Sequence, residues 1–188
     1  ETMKYLIEVL KDENEYARRA GVEVLNHLGT AHDIKYLLQV IKDDDWWVRS
    51  RAADALAKIG GPRVIEAALE LIRDQDEDIR RAAIEILNQT KDERAIGFLI
   101  EATRDSDWVR ERAVDALAEI GSPRALPSLL DLLRTGDERS LPTVARAIGK
   151  LGDPAVIPRL MPLLASPSKE ARLEIITALA RPVDDNYS

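Results

Sequence analysis

Apolar residues recur every three or four positions along most of this chain. The segment at 46–59 shows the pattern clearly, with Val48, Ala52, Ala55, Leu56 and Ile59 falling on one face of a helix. No segment alternates apolar and polar residues between turn signals, as a half-buried strand would. The pattern therefore predicts an all-α protein.

The helical pattern repeats at a nearly constant interval. Segments such as AADALAKIG (52–60) and AVDALAEIG (113–121) align with one another, and one position anchors each copy at spacings of 31, 31, 30, 31 and 31 residues. The anchors are Arg18, Arg49, Arg80, Arg110, Leu141 and Arg172. A fixed period of this length is typical of solenoid repeats.

Each copy reads as two helices joined by a turn. Asp45 is placed to cap the second helix, with Asp76 and Asp107 as its counterparts. The second helices end at Gly60, Gly121 and Gly152, and the next first helices start at Pro62, Pro123 and Pro154.

A pair of short helices cannot bury both of its apolar faces alone, so the copies are expected to stack. We predict a right-handed α-solenoid (an α-α superhelix) that forms one domain over residues 1–181. Its six two-helix repeats are 1–28, 29–59, 60–90, 91–120, 121–151 and 152–181. Residues 182–188 are expected to form a polar tail.

Composition narrows the classes of function. The net charge of −7 disfavours nucleic acid as a general partner. The charge is uneven, because residues 1–120 hold 18 basic and 26 acidic side chains (−8) and residues 121–181 hold 9 and 6 (+3). There is no cysteine, no apolar run long enough to span a bilayer and no signal peptide pattern. We expect a cytoplasmic protein and, because Glu1 lies inside a helical pattern, part of a larger polypeptide.

The repeat resembles the HEAT-repeat superfamily in its short, HEAT-like branch named after phycobiliprotein lyases. The motif D-x-x-V-R-x-x-A-x-x-A-L-x-x-I-G-x-P-R-A is nearly complete at 45–64 and is one residue shorter before the valine at 107–125. Pro127 and Pro158 lie where first helices of this family commonly kink.

The resemblance also implies a structural ladder of Asp/Arg pairs between turns and helices. The pairs are Asp12/Arg18, Asp43/Arg49, Asp74/Arg80 and Asp105/Arg110. Repeat five departs from this pattern, because Thr135 and Leu141 replace the aspartate and the arginine and Pro142 follows Leu141.

The resemblance further implies that second helices line a concave surface, where equivalent positions form columns. Trp47 shares its column with Tyr16 and Trp108, and this column is expected to point away from the core. Trp46, on the other flank, is expected to be a packing residue.

The predicted partner-binding residues are Tyr16, Trp47, Arg51, Asp54, Arg81, Trp108, Arg112 and Asp115. Tryptophan, tyrosine and arginine most often dominate interface energies. Pairs such as Arg51/Asp54 and Arg19/Glu23 also fit the spacing of ordinary surface ion pairs.

Catalytic interpretations are weakly supported. His27 and His32 are the two histidines, and neither belongs to a His-Glu metal motif such as the deoxyhypusine-hydroxylating relatives use. We therefore predict no metal, no cofactor and no enzymatic activity. The predicted function is a scaffold that binds a protein or peptide partner, with no nucleic acid and no membrane span. Two alternatives remain by resemblance, namely a bilin-lyase-like protein that handles a chromophore and a HEAT-like DNA glycosylase. The acidic side chains on the predicted concave face argue against the second.

Overall fold

The computed structural model describes residues 2–135 and 138–184, and every regular element in these ranges is helical. The predicted all-α class is confirmed. The twelve α-helices of this part of the chain are α1 (Thr2–Val9), α2 (Glu15–Leu28), α3 (Ile34–Val40), α4 (Trp46–Ile59), α5 (Gly61–Leu71), α6 (Glu77–Thr90), α7 (Ile96–Ala102), α8 (Asp107–Ile120), α9 (Leu126–Thr135), α10 (Leu141–Leu151), α11 (Ile157–Leu160) and α12 (Lys169–Asp184).

The chain divides into two compact units, residues 1–90 and 91–188. In the first unit, α2 packs against α4 and α4 against α6, while α1, α3 and α5 each pack on the second helix of their own repeat. In the second unit, α8 packs against α10 and α10 against α12, with α7, α9 and α11 paired to them in the same way. Helix pairs and stacked second helices are the architecture expected of α-solenoid repeats.

The helix boundaries follow from turn chemistry. The Asp45 carboxylate accepts a 3.0 Å hydrogen bond from the Val48 N–H, and Asp76 accepts one of 2.9 Å from the Asp78 N–H. Gly60, Gly121 and Gly152 have positive φ angles, which favour glycine at the end of a helix. The prediction that Asp107 caps its helix is wrong. Ser106 precedes α8 and Asp107 is its first residue, because the fourth repeat is one residue shorter there.

The first helices begin at or beside the expected prolines, but several begin with 3-10 geometry. Pro123 and Pro154 are the first residues of 3-10 turns, and Pro62 is the second residue of α5. Short 3-10 turns precede α3, α7, α9 and α11, and Pro127 and Pro158 are the second residues of α9 and α11. The prolines therefore lie at a junction between two kinds of helix, where a missing N–H is tolerated. The turn before α3, Ala31–Asp33, contains no proline, so proline is not required for this geometry.

The end of the chain differs from the predicted tail. Helix α12 continues to Asp184, so residues 182–184 are helical. Pro182 does not interrupt the pattern, and the helix extends about one turn beyond the expected boundary. Residues 185–188 and Glu1 lie outside the described residues.

Candidate binding groove between α4 and α6

Trp47 is clamped between two arginines at the start of α4. The Cζ atoms of Arg19 and Arg51 lie 5.9 and 5.8 Å from the centroid of its ring. Arg19 also lies 5.4 Å from the ring centroid of Tyr16. Guanidinium groups at these distances interact favourably with aromatic faces. Trp47 is therefore half-buried in contacts between the first and second repeats, rather than pointing freely away from the core as predicted.

The arginines of this clamp are held by carboxylates. Arg19 binds Asp45 through two hydrogen bonds, with Nε–Oδ1 at 3.1 Å and Nη2–Oδ2 at 2.7 Å. This guanidinium, together with the Val48 N–H, lowers the pKa of Asp45 from 3.8 to about 2. Arg51 binds Glu23 and lies 3.1 Å from Asp54. Arg19 binds Asp45 instead of Glu23, with which it was predicted to pair, and Glu23 is bound by Arg51. Both ion pairs connect the first repeat to the second.

Trp46 is the exposed member of the tryptophan pair, and the prediction that it packs is wrong. Its side chain is 63% exposed, although it lies next to Trp47 in the chain. The two side chains leave α4 about 100° apart, so Trp47 turns toward the arginine clamp and Trp46 toward α6. Small residues, Ala53 and Ala82, lie along that side of α4 and α6 and leave open space there.

The space beside Trp46 is a groove of about 370 Å³ between α4 and α6. We call it the α4–α6 groove. Its lining residues are Trp46, Arg49, Ser50, Ala53, Asp54, Asp78, Arg81, Ala82, Glu85 and Gln89. Three acids and two bases line it, together with an exposed indole and two alanines. A partly apolar concavity with a few polar groups suits a ligand side chain.

Hydrogen bonds order much of the polar wall. Asp54 accepts bonds from Arg51 Nη1 at 3.1 Å and from Gln89 Nε2 at 3.2 Å, while Arg49 Nη2 lies 3.3 Å from Asp78 Oδ2. These contacts join α4 to α6 and hold the carboxylates at the groove surface. The predicted partner-binding residue Arg51 is engaged by two carboxylates, whereas Arg81 lies in the groove lining.

The other predicted site residues lie on separate elements. Tyr16 is exposed at the start of α2, and Trp108 is exposed at the start of α8 in the second unit. Arg112 and Asp115 also lie on α8 and form an ion pair, with Nη1–Oδ2 at 3.6 Å. Sequence reasoning missed Trp46, Arg49 and Gln89. The alanines at 53 and 82 were the available signal for open space beside them.

Within each repeat, the predicted ladder is built on the backbone carbonyl groups of the aspartates. Each ladder arginine donates to the backbone carbonyl of its aspartate, at 2.8 Å for Arg18, 2.8 Å for Arg49, 2.9 Å for Arg80 and 3.1 Å for Arg110. The carboxylates accept backbone N–H groups of their own turns, as Asp12 does from Asn14 at 2.8 Å. Between repeats, Arg18 Nε lies 2.9 Å from Asp43 Oδ2. Arg172 makes the same carbonyl bond to Ser166, at 2.7 Å, so the aspartate side chain is not needed for it.

Two features of the described residues concern metal binding and membrane insertion. Within this part of the chain, no three His, Cys, Asp or Glu side chains come close enough together to hold a metal ion. None of its helices combines the length and the apolar character needed to cross a bilayer.

Solved structures with the same fold span nearly the whole chain. The YibA protein of Escherichia coli matches with a TM-score of 0.68 and 22% identity, over 94% of this chain and 69% of that one. The CpcE–CpcF complex of phycocyanin lyase from Nostoc sp. PCC7120 matches with a TM-score of 0.60 and 22% identity, over 94% and 75%. A designed armadillo repeat protein in complex with the peptide (KR)4 matches with a TM-score of 0.58 and 17% identity, over 95% and 98%. These similarities support the predicted α-solenoid class. A comparison with curated proteins gave no significant match.

Family models agree with the repeat pattern. The model for HEAT repeats matches residues 3–80 and 65–141, and the model for the PBS lyase HEAT-like repeat matches residues 143–166. The first covers well over half of the sequence, and the second falls in the last two repeats. The chain belongs to the HEAT-repeat family.

Proposed function

We propose that this chain is a non-catalytic scaffold that binds a peptide segment of a protein partner in the α4–α6 groove. The observation that carries the proposal is the exposed indole of Trp46 beside the carboxylates of Asp54, Asp78 and Glu85. Tryptophan is among the residues that most often dominate the binding energy of interfaces.

The charge of the groove indicates the kind of peptide. Its lining holds one more acid than base, and residues 1–120 carry a net charge of −8. An arginine or lysine of the peptide could stack on Trp46 while its charge meets the carboxylates. The designed armadillo repeat protein with a similar fold was solved with a peptide of alternating lysine and arginine, and this supports the choice of peptide class. Phosphate-bearing nucleic acid is disfavoured by the same carboxylates.

The predicted anchors take different roles in this proposal. Trp46 replaces Trp47 as the main anchor, because Trp47 is enclosed by Arg19 and Arg51. Arg81 and Asp54 remain predicted contacts in the groove. Tyr16 remains a predicted flanking contact, and Trp108, Arg112 and Asp115 remain predicted contacts on α8.

A titration of fluorescein-labelled (Lys-Arg)4 tests the proposal by fluorescence anisotropy. We expect saturable binding to the wild type that weakens as salt screens the charges, and no binding of a (Glu-Ser)4 peptide. Trp46→Ala should weaken binding about tenfold or more, while Tyr5→Ala, which removes an exposed aromatic outside the groove, should not. Equal losses in both variants, or tight binding of duplex DNA in place of the peptide, would contradict the proposal.

A bilin-handling role is the second candidate. A cleft of about 460 Å³ in the second unit is lined by Pro127, Leu130, Leu133 and Leu163 together with Arg159 and the ion pair of Arg134 with Asp131, at 2.7 Å. Apolar walls with the cation of Arg159 suit a tetrapyrrole that carries propionate groups. The match of residues 143–166 to the PBS lyase HEAT-like repeat supports this candidate. Absorbance titration with phycocyanobilin distinguishes the two, since a bilin-handling protein would bind it saturably and a peptide scaffold would not.

A further inference from the structure

Exposed large apolar side chains fall into three groups in the part of the chain that the structure describes. Three are the aromatic residues Tyr16, Trp46 and Trp108 at the starts of second helices. The other eight lie on the first and last repeats. The first-repeat face holds Met3, Tyr5, Val9, Val24 and Leu28, and the last-repeat face holds Met161, Leu173 and Ile176.

The residues of the second repeat that are equivalent to the first-repeat face are buried. Val24 is 44% exposed, whereas Ala55, 31 positions on, is 2% exposed. Met3 and Val9 are exposed, but their counterparts Ile34 and Val40 are buried. In the second repeat these positions pack on the first repeat, since α4 contacts α2 and Ile59, the counterpart of Leu28, lies beside Gly29. The first-repeat face is thus equivalent to the surface with which the second repeat stacks on the first.

The last-repeat face is the complementary surface. Ile176 is 53% exposed, whereas Ala145, 31 positions earlier on α10, is fully buried. Leu173 is likewise exposed and its counterpart Pro142 is buried. Helix α10 presents this side to α12, as the ion pair between Arg146 and Glu174 at 3.0 Å demonstrates. The last-repeat face is therefore equivalent to the surface with which α10 stacks on α12.

We propose that a second copy of this chain covers these faces, with the first-repeat face of one copy stacked on the last-repeat face of another. The contact would repeat the geometry by which the second repeat stacks on the first. This inference goes beyond the peptide-binding function and does not depend on it.

The polar positions around the two faces fit this arrangement. Within the chain, Arg18 pairs with Asp43 at 2.9 Å, and the equivalent residues of two stacked copies are Arg172 and Asp12. The two further ion pairs of that internal contact, Arg19 with Asp45 and Arg51 with Glu23, have neutral equivalents. Those equivalents are Leu173 with Asn14 and Ala20 with Thr177. Stacking two copies would therefore keep one ion pair and would bury no unpaired charge at the other two positions.

Net charge favours the same orientation. The first repeat (residues 1–28) holds 4 basic and 6 acidic side chains (−2), and the last repeat (152–181) holds 4 and 3 (+1), so the two repeats that carry the faces have opposite net charges. Contacts between like ends would bring together charges of the same sign. A contact between two different faces is heterologous, so association continues beyond a dimer or closes into a ring.

Sedimentation velocity over a range of protein concentrations tests the proposal. The wild type should form species larger than a dimer as concentration rises. Leu28→Glu on the first-repeat face and Ile176→Glu on the last-repeat face should each give a monomer, with a dissociation constant raised at least about tenfold. Gln75→Glu adds the same charge at an exposed position outside both faces and outside the α4–α6 groove. It is the matched control and should associate like the wild type.

Mixing the two face variants distinguishes head-to-tail stacking from other association. Leu28→Glu keeps an intact last-repeat face and Ile176→Glu keeps an intact first-repeat face, so an equimolar mixture should form a one-to-one dimer and nothing larger. Unchanged circular dichroism of each variant would establish that both are folded. A wild type that stays monomeric at every concentration, or a dimer of either variant alone, would overturn the proposal.

Discussion

The two neighbouring tryptophans at the start of α4 lie in different surroundings. We therefore expect one to contribute to stability and the other to binding. Trp47 lies between the guanidinium groups of Arg19 and Arg51, which are themselves fixed by Asp45 and Glu23. Trp46 borders the α4–α6 groove with most of its surface in water. Side chains that connect two repeats contribute to folding, whereas an exposed side chain is free to contact a partner.

Replacement of each tryptophan by alanine should separate these roles. Trp47→Ala removes packing and two cation–π contacts, so we expect the free energy of unfolding to fall by about 1–3 kcal/mol. Trp46→Ala should change it by no more than about 0.5 kcal/mol, as is usual at exposed positions. Urea unfolding followed by circular dichroism measures both. A larger loss for Trp46→Ala than for Trp47→Ala would contradict the assignment.

Asp45 should make stability depend on pH in the acid range. Its pKa is lowered from 3.8 to about 2 in the folded chain, so its stabilising effect is complete above about pH 4 and is lost as the pH falls toward 2. Asp45→Asn keeps a capping side chain but removes the charge that Arg19 binds. It should lower the free energy of unfolding by about 1–2 kcal/mol at pH 7 and by much less near pH 2.

Urea unfolding of the wild type and Asp45→Asn at several pH values checks this expectation. The two free energies should converge as the pH falls from 4 to 2. A difference that stays constant over that interval would show that the charge of Asp45 does not carry the effect.

Alignment of repeats predicted which residues are equivalent but not which are exposed. Trp47 and Trp108 occupy equivalent positions, yet Trp47 is half-buried and Trp108 exposed. The exposure of Trp47 depends on Arg19 and Arg51, which approach it from two helices. Such contacts depend on side-chain direction and on the neighbouring repeat, and a single sequence specifies neither.

At the scale of helices, most boundaries could be predicted because they depend on local chemistry. Asp45 caps α4, and glycines with positive φ follow α4, α8 and α10. The prediction that Asp107 is a cap was wrong, and the 3-10 turn before α9 was not predicted, because the local sequence is compatible with more than one backbone conformation. A shortened turn moved the cap to the position of Ser106, and a 3-10 turn placed Pro127 at a helix start.

Gly149 of α10 lies at a close approach to α12. A Cβ atom at this position would lie 2.8 Å from both Cα and Cβ of Ala178 on α12. Gly149→Ala would therefore force the backbones apart, and we expect the free energy of unfolding to fall by about 1–3 kcal/mol.

Gly97 offers a matched control for this substitution. It lies in α7, and no atom lies within 4 Å of the position that a Cβ would take. Gly97→Ala should raise the free energy of unfolding by about 0.5–1 kcal/mol, because alanine favours the helix. Thermal melts of both variants test the pair of expectations, and destabilisation by Gly97→Ala or none by Gly149→Ala would contradict them.

At the scale of the whole molecule, most of the fold could be predicted from the repeat period. Six anchors at intervals of 30 or 31 residues predicted the helix pairs, and the family comparison agrees with them. The α4–α6 groove could not be predicted in the same way. The small side chains of Ala53 and Ala82 line it beside Trp46, and the open space depends on tertiary contacts of particular side chains.

The most direct test of the binding site uses the three tryptophans as reporters. Their indole Nε1–H signals can be assigned in a ¹H–¹⁵N correlation spectrum with the variants Trp46→Phe, Trp47→Phe and Trp108→Phe. During titration with unlabelled (Lys-Arg)4, we expect the Trp46 signal to shift most and at the lowest peptide concentration. A saturable shift of the Trp108 signal alone, or no shift of the Trp46 signal at saturating peptide, would contradict binding in the α4–α6 groove.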